Sequence, residues 1–75
     1  MNYKNRVIAD PKVLVGKPVI KGTRIPVELI LKMLAEGMEV KEILKGYPRL
    51  KKEDILAAVD YAREVVEQEK TYSTV

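Results

Sequence analysis

The spacing of hydrophobic residues changes near residue 26 and divides the chain into two parts. In the first part, β-branched and aliphatic residues form short clusters, and glycines and prolines separate them. This pattern predicts two or three short strands or extended segments. Because Pro11 and Pro18 have no N–H to donate to a neighbouring strand, we expect the sheet to be small and edge-like. The predicted strand clusters are Val7-Ile8, Val13-Leu14-Val15 and Val19-Ile20.

After residue 26 the apolar residues recur with a helical period. Three helices are predicted, the second very short, with bounds at about residues 26–36, 40–45 and 52–69. Pro26 suits the first helical position, and Gly37 and Gly46 are expected to end the first two helices. The residues predicted to face the core are Val27, Ile30, Leu31, Leu34 and Ala35, then Val40, Ile43 and Leu44, then Ile55, Ala58, Val59, Ala62 and Val66.

The length of 75 residues allows one small domain. The elements predict an α+β fold, mostly α, in which a short N-terminal β segment (1–25) precedes a three-helix unit (26–70) and a tail (71–75). Three helices joined by tight, glycine-containing turns are typical of helix-turn-helix domains, including homeodomain-like ones. The same outline also describes small helical bundles that bind no nucleic acid, so the pattern by itself leaves both alternatives open.

The composition removes several classes of function. The chain has no cysteine and no histidine, so its side chains alone predict no disulfide, zinc, haem or iron–sulfur site. The commonest acid–base and thiol groups of enzymes are absent too, and we expect no catalytic residues, no cofactor and no enzymatic activity. The longest apolar run, Ile55 to Val59, is too short to span a membrane. We expect a cytoplasmic protein.

The charge is concentrated at the front of the chain. Residues 1–24 hold six basic side chains and one acid, although the net charge of the whole chain is only +3. Such a basic segment suits a polyanion or an acidic partner protein, and its alternative is a solubilising surface. A first cluster of cations lies in the glycine-rich loop, and a second surrounds Tyr47-Pro48, where Glu53 and Asp54 would oppose phosphate binding. The clusters are Lys17, Lys21 and Arg24, and Lys45, Arg49, Lys51 and Lys52.

A series of motifs resembles one known family in order and spacing. The motifs are Gly16-Lys17-Pro18-Val19-Ile20-Lys21-Gly22-Thr23-Arg24-Ile25-Pro26-Val27, Ala35-Glu36-Gly37, Tyr47-Pro48-Arg49-Leu50, Glu53-Asp54-Ile55 and Tyr61-Ala62. They resemble domain-of-unknown-function family 433, a prokaryotic family of small proteins with a GTR motif, over roughly residues 5–65. The resemblance implies a homeodomain-like or winged-helix-like fold. It also implies a DNA-binding antitoxin and autorepressor that neutralises a PIN-like nuclease toxin.

One position departs from that family's pattern. Lys51 stands where the family usually has Ser or Thr, which would cap the third helix. A lysine side chain cannot accept the backbone hydrogen bond that a cap accepts. The departure therefore bears on where the third helix starts, and hence on which residues would face the bases.

The sequence thus predicts a DNA-binding protein that contacts duplex DNA, in particular the region upstream of its own gene. We expect a homodimer or higher homo-oligomer, joined through the sheet edge or through the first and third helices. The uncharged tail, residues 71–75, is suited to adding a strand to the toxin or to fraying. The alternatives are a protein-interaction module without DNA affinity and a hydrolase subunit that another chain completes. The predicted DNA-binding residues are Lys21, Arg24, Arg49, Lys51 and Lys52.

Overall fold

The computed structural model describes residues 4–9, 11–12 and 14–68. Two short strands, β1 (Val7–Ile8) and β2 (Val19–Ile20), precede three helices. The helices are α1 (Val27–Ala35), α2 (Val40–Gly46) and α3 (Lys52–Gln68). This order confirms the predicted α+β class, mostly α, with the β segment first. The predicted tail, 71–75, lies outside the described residues.

The two strands form a small antiparallel sheet. Val7 lies opposite Ile20, and Ile8 lies opposite Val19. The chain then turns back, because Val19 also bridges to Pro26 and the N–H of Val27 donates to the carbonyl of Pro18 at 2.9 Å. The turn between Val19 and Pro26 leads directly into α1, so the sheet and the first helix are joined without a linker.

The strand predicted at Val13 to Val15 is wrong over the part that the structure describes. Leu14–Gly16 forms a single 3₁₀ turn instead. Val15 adopts a left-handed φ of 56° and Gly16 a φ of 83°, and two such residues in succession reverse the chain. A reversal is needed here because the segment between β1 and β2 must connect antiparallel neighbours. Val13 itself lies outside the described residues.

The helix bounds agree with the predicted ones to within one residue wherever they can be compared, and the predicted end of the third helix, at residue 69, lies outside the described residues. Pro26 is the N-cap of α1 rather than its first residue, and α2 includes Gly46. At the start of α2, the side chain of Glu39 accepts a backbone N–H from the first turn, while the N–H of Glu39 donates to the carboxylate of Glu42 at 2.8 Å. This capping box stabilises a helix of only seven residues.

The core lies between the sheet, α1, α2 and the first half of α3. It contains Ile20, Val27, Ile30, Met33, Ile43, Leu50, Ile55 and Ala58. Within the described residues, no helix is both long and apolar enough to cross a membrane.

The predicted core face is partly wrong on α3. Val59 is 44% exposed and Val66 is 65% exposed, whereas Ala57 is buried. On α1, Ala35 is exposed and Met33 is buried instead. Length explains the exposure of Val66 near the far end of α3, because the nine residues of α1 span about 14 Å and the seventeen of α3 about 26 Å. The second half of α3 therefore extends past the elements that would cover it.

Candidate nucleic-acid interface

The first part of the site is the GTR turn, defined here as residues 20–25. Its ends are joined by a hydrogen bond from the N–H of Ile20 to the carbonyl of Ile25 at 3.0 Å. Inside it, the hydroxyl of Thr23 donates to the carbonyl of Ile20 at 2.7 Å and accepts from the N–H of Ile25 at 3.0 Å. Gly22 has a φ of 83°, which a residue with a Cβ rarely adopts. The result is a tight turn that leaves the side chains of Lys21 and Arg24 exposed.

The second part is the α2–α3 turn, residues 47–51. The N–H of Leu50 donates to the carbonyl of Tyr47 at 2.9 Å, and the side chain of Leu50 is buried in the core. Because Leu50 anchors the turn from inside, its neighbours Arg49 and Lys51 remain exposed to solvent. The turn thus presents cations on both sides of an apolar anchor.

The two turns touch each other. The guanidinium of Arg49 donates from Nη2 to the carbonyl of Gly22 at 3.1 Å, across 27 positions of sequence. A groove of about 460 Å³ lies at this contact, lined by Ile8, Gly22, Thr23, Arg24 and Arg49. Two of the five predicted DNA-binding side chains therefore line one groove, although they come from different turns.

A series of three hydrogen bonds fixes the GTR turn relative to the start of α3. The N–H of Lys21 donates to the carbonyl of Arg6 at 2.8 Å. The guanidinium of Arg6 donates to one carboxylate oxygen of Asp54 at 2.9 Å, and the other oxygen accepts the N–H of Lys51, also at 2.9 Å. The backbones that carry Lys21 and Lys51 are thus held on one framework.

Asp54 therefore has a structural role that the sequence analysis did not predict. Its side chain is buried and ion-paired with Arg6, so it does not oppose phosphate binding as expected from its position beside Lys51 and Lys52. It also forms one half of a capping box, because it accepts the N–H of Lys51, the residue before the helix, from within the first turn of α3. The helix begins at Lys52 without a Ser or Thr at position 51.

The five predicted side chains share one electrostatic property. All are exposed, and within residues 4–9, 11–12 and 14–68 none of them forms an ion pair. Lys17 differs, because its ammonium lies 2.7 Å from the carboxylate of Glu28. The first cluster is therefore reduced to two uncompensated cations. The complete set is Lys21, Arg24, Arg49, Lys51 and Lys52.

Such a set is suited to anionic ligands. Cations without internal carboxylate partners keep their charge available to phosphates, and arginine binds two phosphate oxygens at once. The sequence indicated the cations because of their clustering. It gave no sign that Arg49 contacts the GTR turn, that Arg6 pairs with Asp54, or that Ile8 lines the groove, since these contacts join distant positions.

The comparisons with known proteins agree on one family. The family described as "Protein of unknown function (DUF433)" matches residues 7–62. An uncharacterised protein of Sinorhizobium fredii, y4eO, is 39% identical over 56 residues, which are 75% of this chain and 25% of that protein. An uncharacterised protein of Archaeoglobus fulgidus is 74% identical over 23 residues, 31% of this chain and 64% of that protein. The chain thus spans a quarter of one relative and just under two thirds of the other.

A solved structure shares the fold. The crystal structure of a DUF433 member from Anabaena variabilis superimposes with a TM-score of 0.78 at 37% sequence identity. The match covers 87% of this chain and 64% of that one. At this identity and coverage, the arrangement of two strands and three helices is similar in both proteins.

Proposed function

The chain belongs to the DUF433 family, and on that premise we propose that it is a small protein that binds duplex DNA. The observation that carries the proposal is the contact between the GTR turn and the α2–α3 turn. Through this contact, cations from two distant segments form one surface, and none of them is neutralised by a carboxylate among the described residues. Phosphate contacts of this kind provide most of the affinity of DNA-binding proteins.

The helices support the same function. A short helix, a tight turn and a longer helix follow each other, as in helix-turn-helix domains, where the N-terminal end of the last helix meets the major groove. Lys51 and Lys52 lie at that end of α3. In this arrangement Lys52 faces the groove edge, while Lys21, Arg24 and Arg49 contact the flanking phosphates.

We assign the DNA site to the control region of the protein's own gene, and we assign the protein an antitoxin role against a PIN-like nuclease. These two parts of the proposal rest on the family resemblance and not on a contact in the structure. Coexpression tests the antitoxin role: a PIN-like nuclease encoded beside this gene should arrest growth alone and should copurify with this protein when both are produced. Arrest that persists in the presence of this protein would remove the antitoxin role.

A protein-interaction module without DNA affinity is the second candidate. The groove favours it to some extent, because the half-exposed side chain of Ile8 adds an apolar wall to a site with two arginines. An acidic peptide with an apolar anchor fits such a lining. Duplex DNA does not require the apolar wall, so substitution of Ile8 separates the two candidates.

Binding to DNA distinguishes them directly. Fluorescence anisotropy with the upstream region of its own gene should show affinity at least tenfold above that for a random duplex of equal length. The double variant Arg49→Ala/Lys52→Ala should bind at least tenfold more weakly. In the matched control, Lys32→Ala/Lys41→Ala, two exposed lysines of α1 and α2 are removed instead, and the affinity should stay within about twofold.

Equal affinity for the upstream and the random duplex would contradict the repressor function. Equal affinity of the two double variants would show that the turns are not the DNA surface. If Ile8→Ser abolishes partner binding and leaves DNA affinity unchanged, the groove serves a protein and the DNA surface is separate from it.

A further inference from the structure

The first half of α3 exposes two apolar side chains directly after a lysine of the cationic surface. Leu56 is 38% exposed and Val59 is 44% exposed, whereas Ala57 and Ala58, between them, are buried. Intervals of four and three residues separate Lys52, Leu56 and Val59, so the three side chains lie next to one another on one side of the helix. We refer to these three residues as the outer face of α3.

The outer face combines positive charge with apolar surface. Lys52 forms no ion pair within the part of the chain that the structure describes. The two acids of the first turn are turned away from it: Asp54 is buried, and Glu53, half-buried, lies about 100° round the helix from Lys52. Leu56 and Val59 remain in contact with water, which forgoes part of the free energy of burying them.

We propose that Leu56 and Val59 read DNA sequence by contacting the C5-methyl groups of thymines in the major groove. This inference rests on the proposed DNA binding and assigns the residues that give it sequence preference, which phosphate contacts cannot supply. The thymine methyl is the apolar group that base pairs present in the major groove, and apolar side chains recognise it. Lys52, one turn before Leu56, holds the start of α3 at the edge of the groove.

The dimensions of the outer face suit a short run of base pairs. From Lys52 to Val59 the helix rises by about 10 Å, which is close to three base-pair steps of about 3.4 Å. Leu56 and Val59 are separated by about 4.5 Å along the helix axis, which is between one and two steps. For a helix that lies along the groove, they reach methyl groups on neighbouring base pairs or on pairs two steps apart.

The charges farther along α3 set its orientation on the DNA. Asp60 follows Val59, and Arg63 lies 2.9 Å from Asp60 and 2.6 Å from Glu67. One cation between two acids leaves this segment with a net negative charge, which phosphates repel. The N-terminal end of the helix carries the positive end of the dipole. The start of α3 therefore enters the groove and the segment beyond Val59 lies away from the phosphates, as in helix-turn-helix domains.

Removal of the methyl groups from the DNA tests the inference directly. The upstream region of the gene is prepared in two forms, one with thymine and one with uracil at the same positions. Uracil lacks the C5-methyl group but keeps the hydrogen-bonding edge and the phosphates. Burial of one methyl group is equivalent to about fourfold in affinity, so two contacts predict that the wild type binds the uracil form at least fivefold more weakly. Fluorescence anisotropy at one salt concentration measures both affinities.

Variants assign this preference to the outer face. In Leu56→Ala/Val59→Ala, the affinities for the two forms should agree within about twofold. Leu56→Gln/Val59→Thr, which keeps the size of both side chains, should lose the preference as well. Each ratio compares two duplexes with the same protein, so a smaller folded fraction, which circular dichroism checks, does not change it. In the matched control, Val65→Ala, the valine is 41% exposed and lies half a turn round the helix from Leu56, and the preference should persist.

A phosphate contact behaves differently from a methyl contact. Arg49→Ala should weaken binding to both forms by the same factor and leave the preference for thymine unchanged. If the wild type prefers the upstream region to a random duplex but binds the thymine and uracil forms equally, this inference is overturned and the proposed DNA binding stands. An undiminished preference in Leu56→Ala/Val59→Ala would also overturn it. No preference for the upstream region over a random duplex contradicts the repressor function, and this inference with it.

Discussion

Asp54 is a single residue whose carboxylate joins three segments of the chain. One oxygen accepts from Arg6, next to β1, and the other accepts from the backbone of Lys51, at the start of α3. The carbonyl of Arg6 in turn accepts from the N–H of Lys21 in the GTR turn. At the scale of residues, the position of the cationic surface therefore depends on a buried acid that carries no affinity for DNA itself.

Replacing this acid should destabilise the fold. Asp54→Ala leaves the N–H of Lys51 and the guanidinium of Arg6 without their acceptor, and we expect the free energy of unfolding to fall by about 2 kcal/mol. Urea unfolding followed by circular dichroism measures it. The control Asp60→Ala removes a more exposed partner of Arg63 and should cost clearly less than Asp54→Ala, because solvent-exposed ion pairs contribute little to stability. Equal losses in the two variants would contradict the structural role of Asp54.

Thr23 makes a second prediction at this scale. Thr23→Val keeps the shape of the side chain but removes both hydrogen bonds of the hydroxyl, to Ile20 and from Ile25. For Thr23→Val, the free energy of unfolding should fall by about 1–2 kcal/mol. Thr23→Ser keeps the hydroxyl, so it should retain most of the wild-type stability. Thermal unfolding of the two variants provides the comparison. A valine variant as stable as the serine variant would show that the hydroxyl does not hold the turn.

At the scale of elements, α3 is divided between two roles. Its first half buries Ile55, Ala57 and Ala58 and carries the cations at its start. Its second half extends past α1, and Val66 there is 65% exposed. The division follows from length, since a seventeen-residue helix packs against neighbours of nine and seven residues.

The start of α3 also predicts a gain in stability. The carbonyl of Lys51 accepts the first helical hydrogen bonds, so this residue is the N-cap, yet its side chain cannot accept a backbone N–H. Lys51→Ser should raise the free energy of unfolding by about 0.5–1 kcal/mol. Lys52→Ser, one residue inside the helix, removes the same charge without adding a cap and should give no gain. Chemical denaturation of both variants tests this, and equal stabilities would contradict the assignment of the cap.

At the scale of the whole molecule, local signals predicted the helices, and contacts between distant residues explain the errors. Helix ends depend on neighbouring residues such as Pro26, Gly37 and Glu42, so the bounds could be predicted closely. The exposure of Val66 depends on the length of a different helix, which the period of α3 does not contain. The strand expected at Val13 to Val15 required a pairing partner that only the fold determines.

The candidate site shows the same contrast between what local sequence signals predict and what contacts between distant residues determine. Clustering along the sequence was sufficient to select Lys21, Arg24, Arg49, Lys51 and Lys52. It did not reveal that Arg49 reaches Gly22, or that Asp54 is neutralised by Arg6 from 48 positions away. These two contacts turn separate groups of cations into one surface. The DNA-binding function remains a prediction that rests on that surface.

The salt dependence of DNA binding tests this central claim most directly. If the five cations contact phosphates, the logarithm of affinity should fall linearly with the logarithm of salt concentration, with a slope of roughly −0.9 for each phosphate contact. Arg49→Ala/Lys52→Ala should therefore flatten the slope by about 2. Lys32→Ala/Lys41→Ala should leave it unchanged. An equal slope in the wild type and in both variants would contradict the proposal that this surface binds DNA.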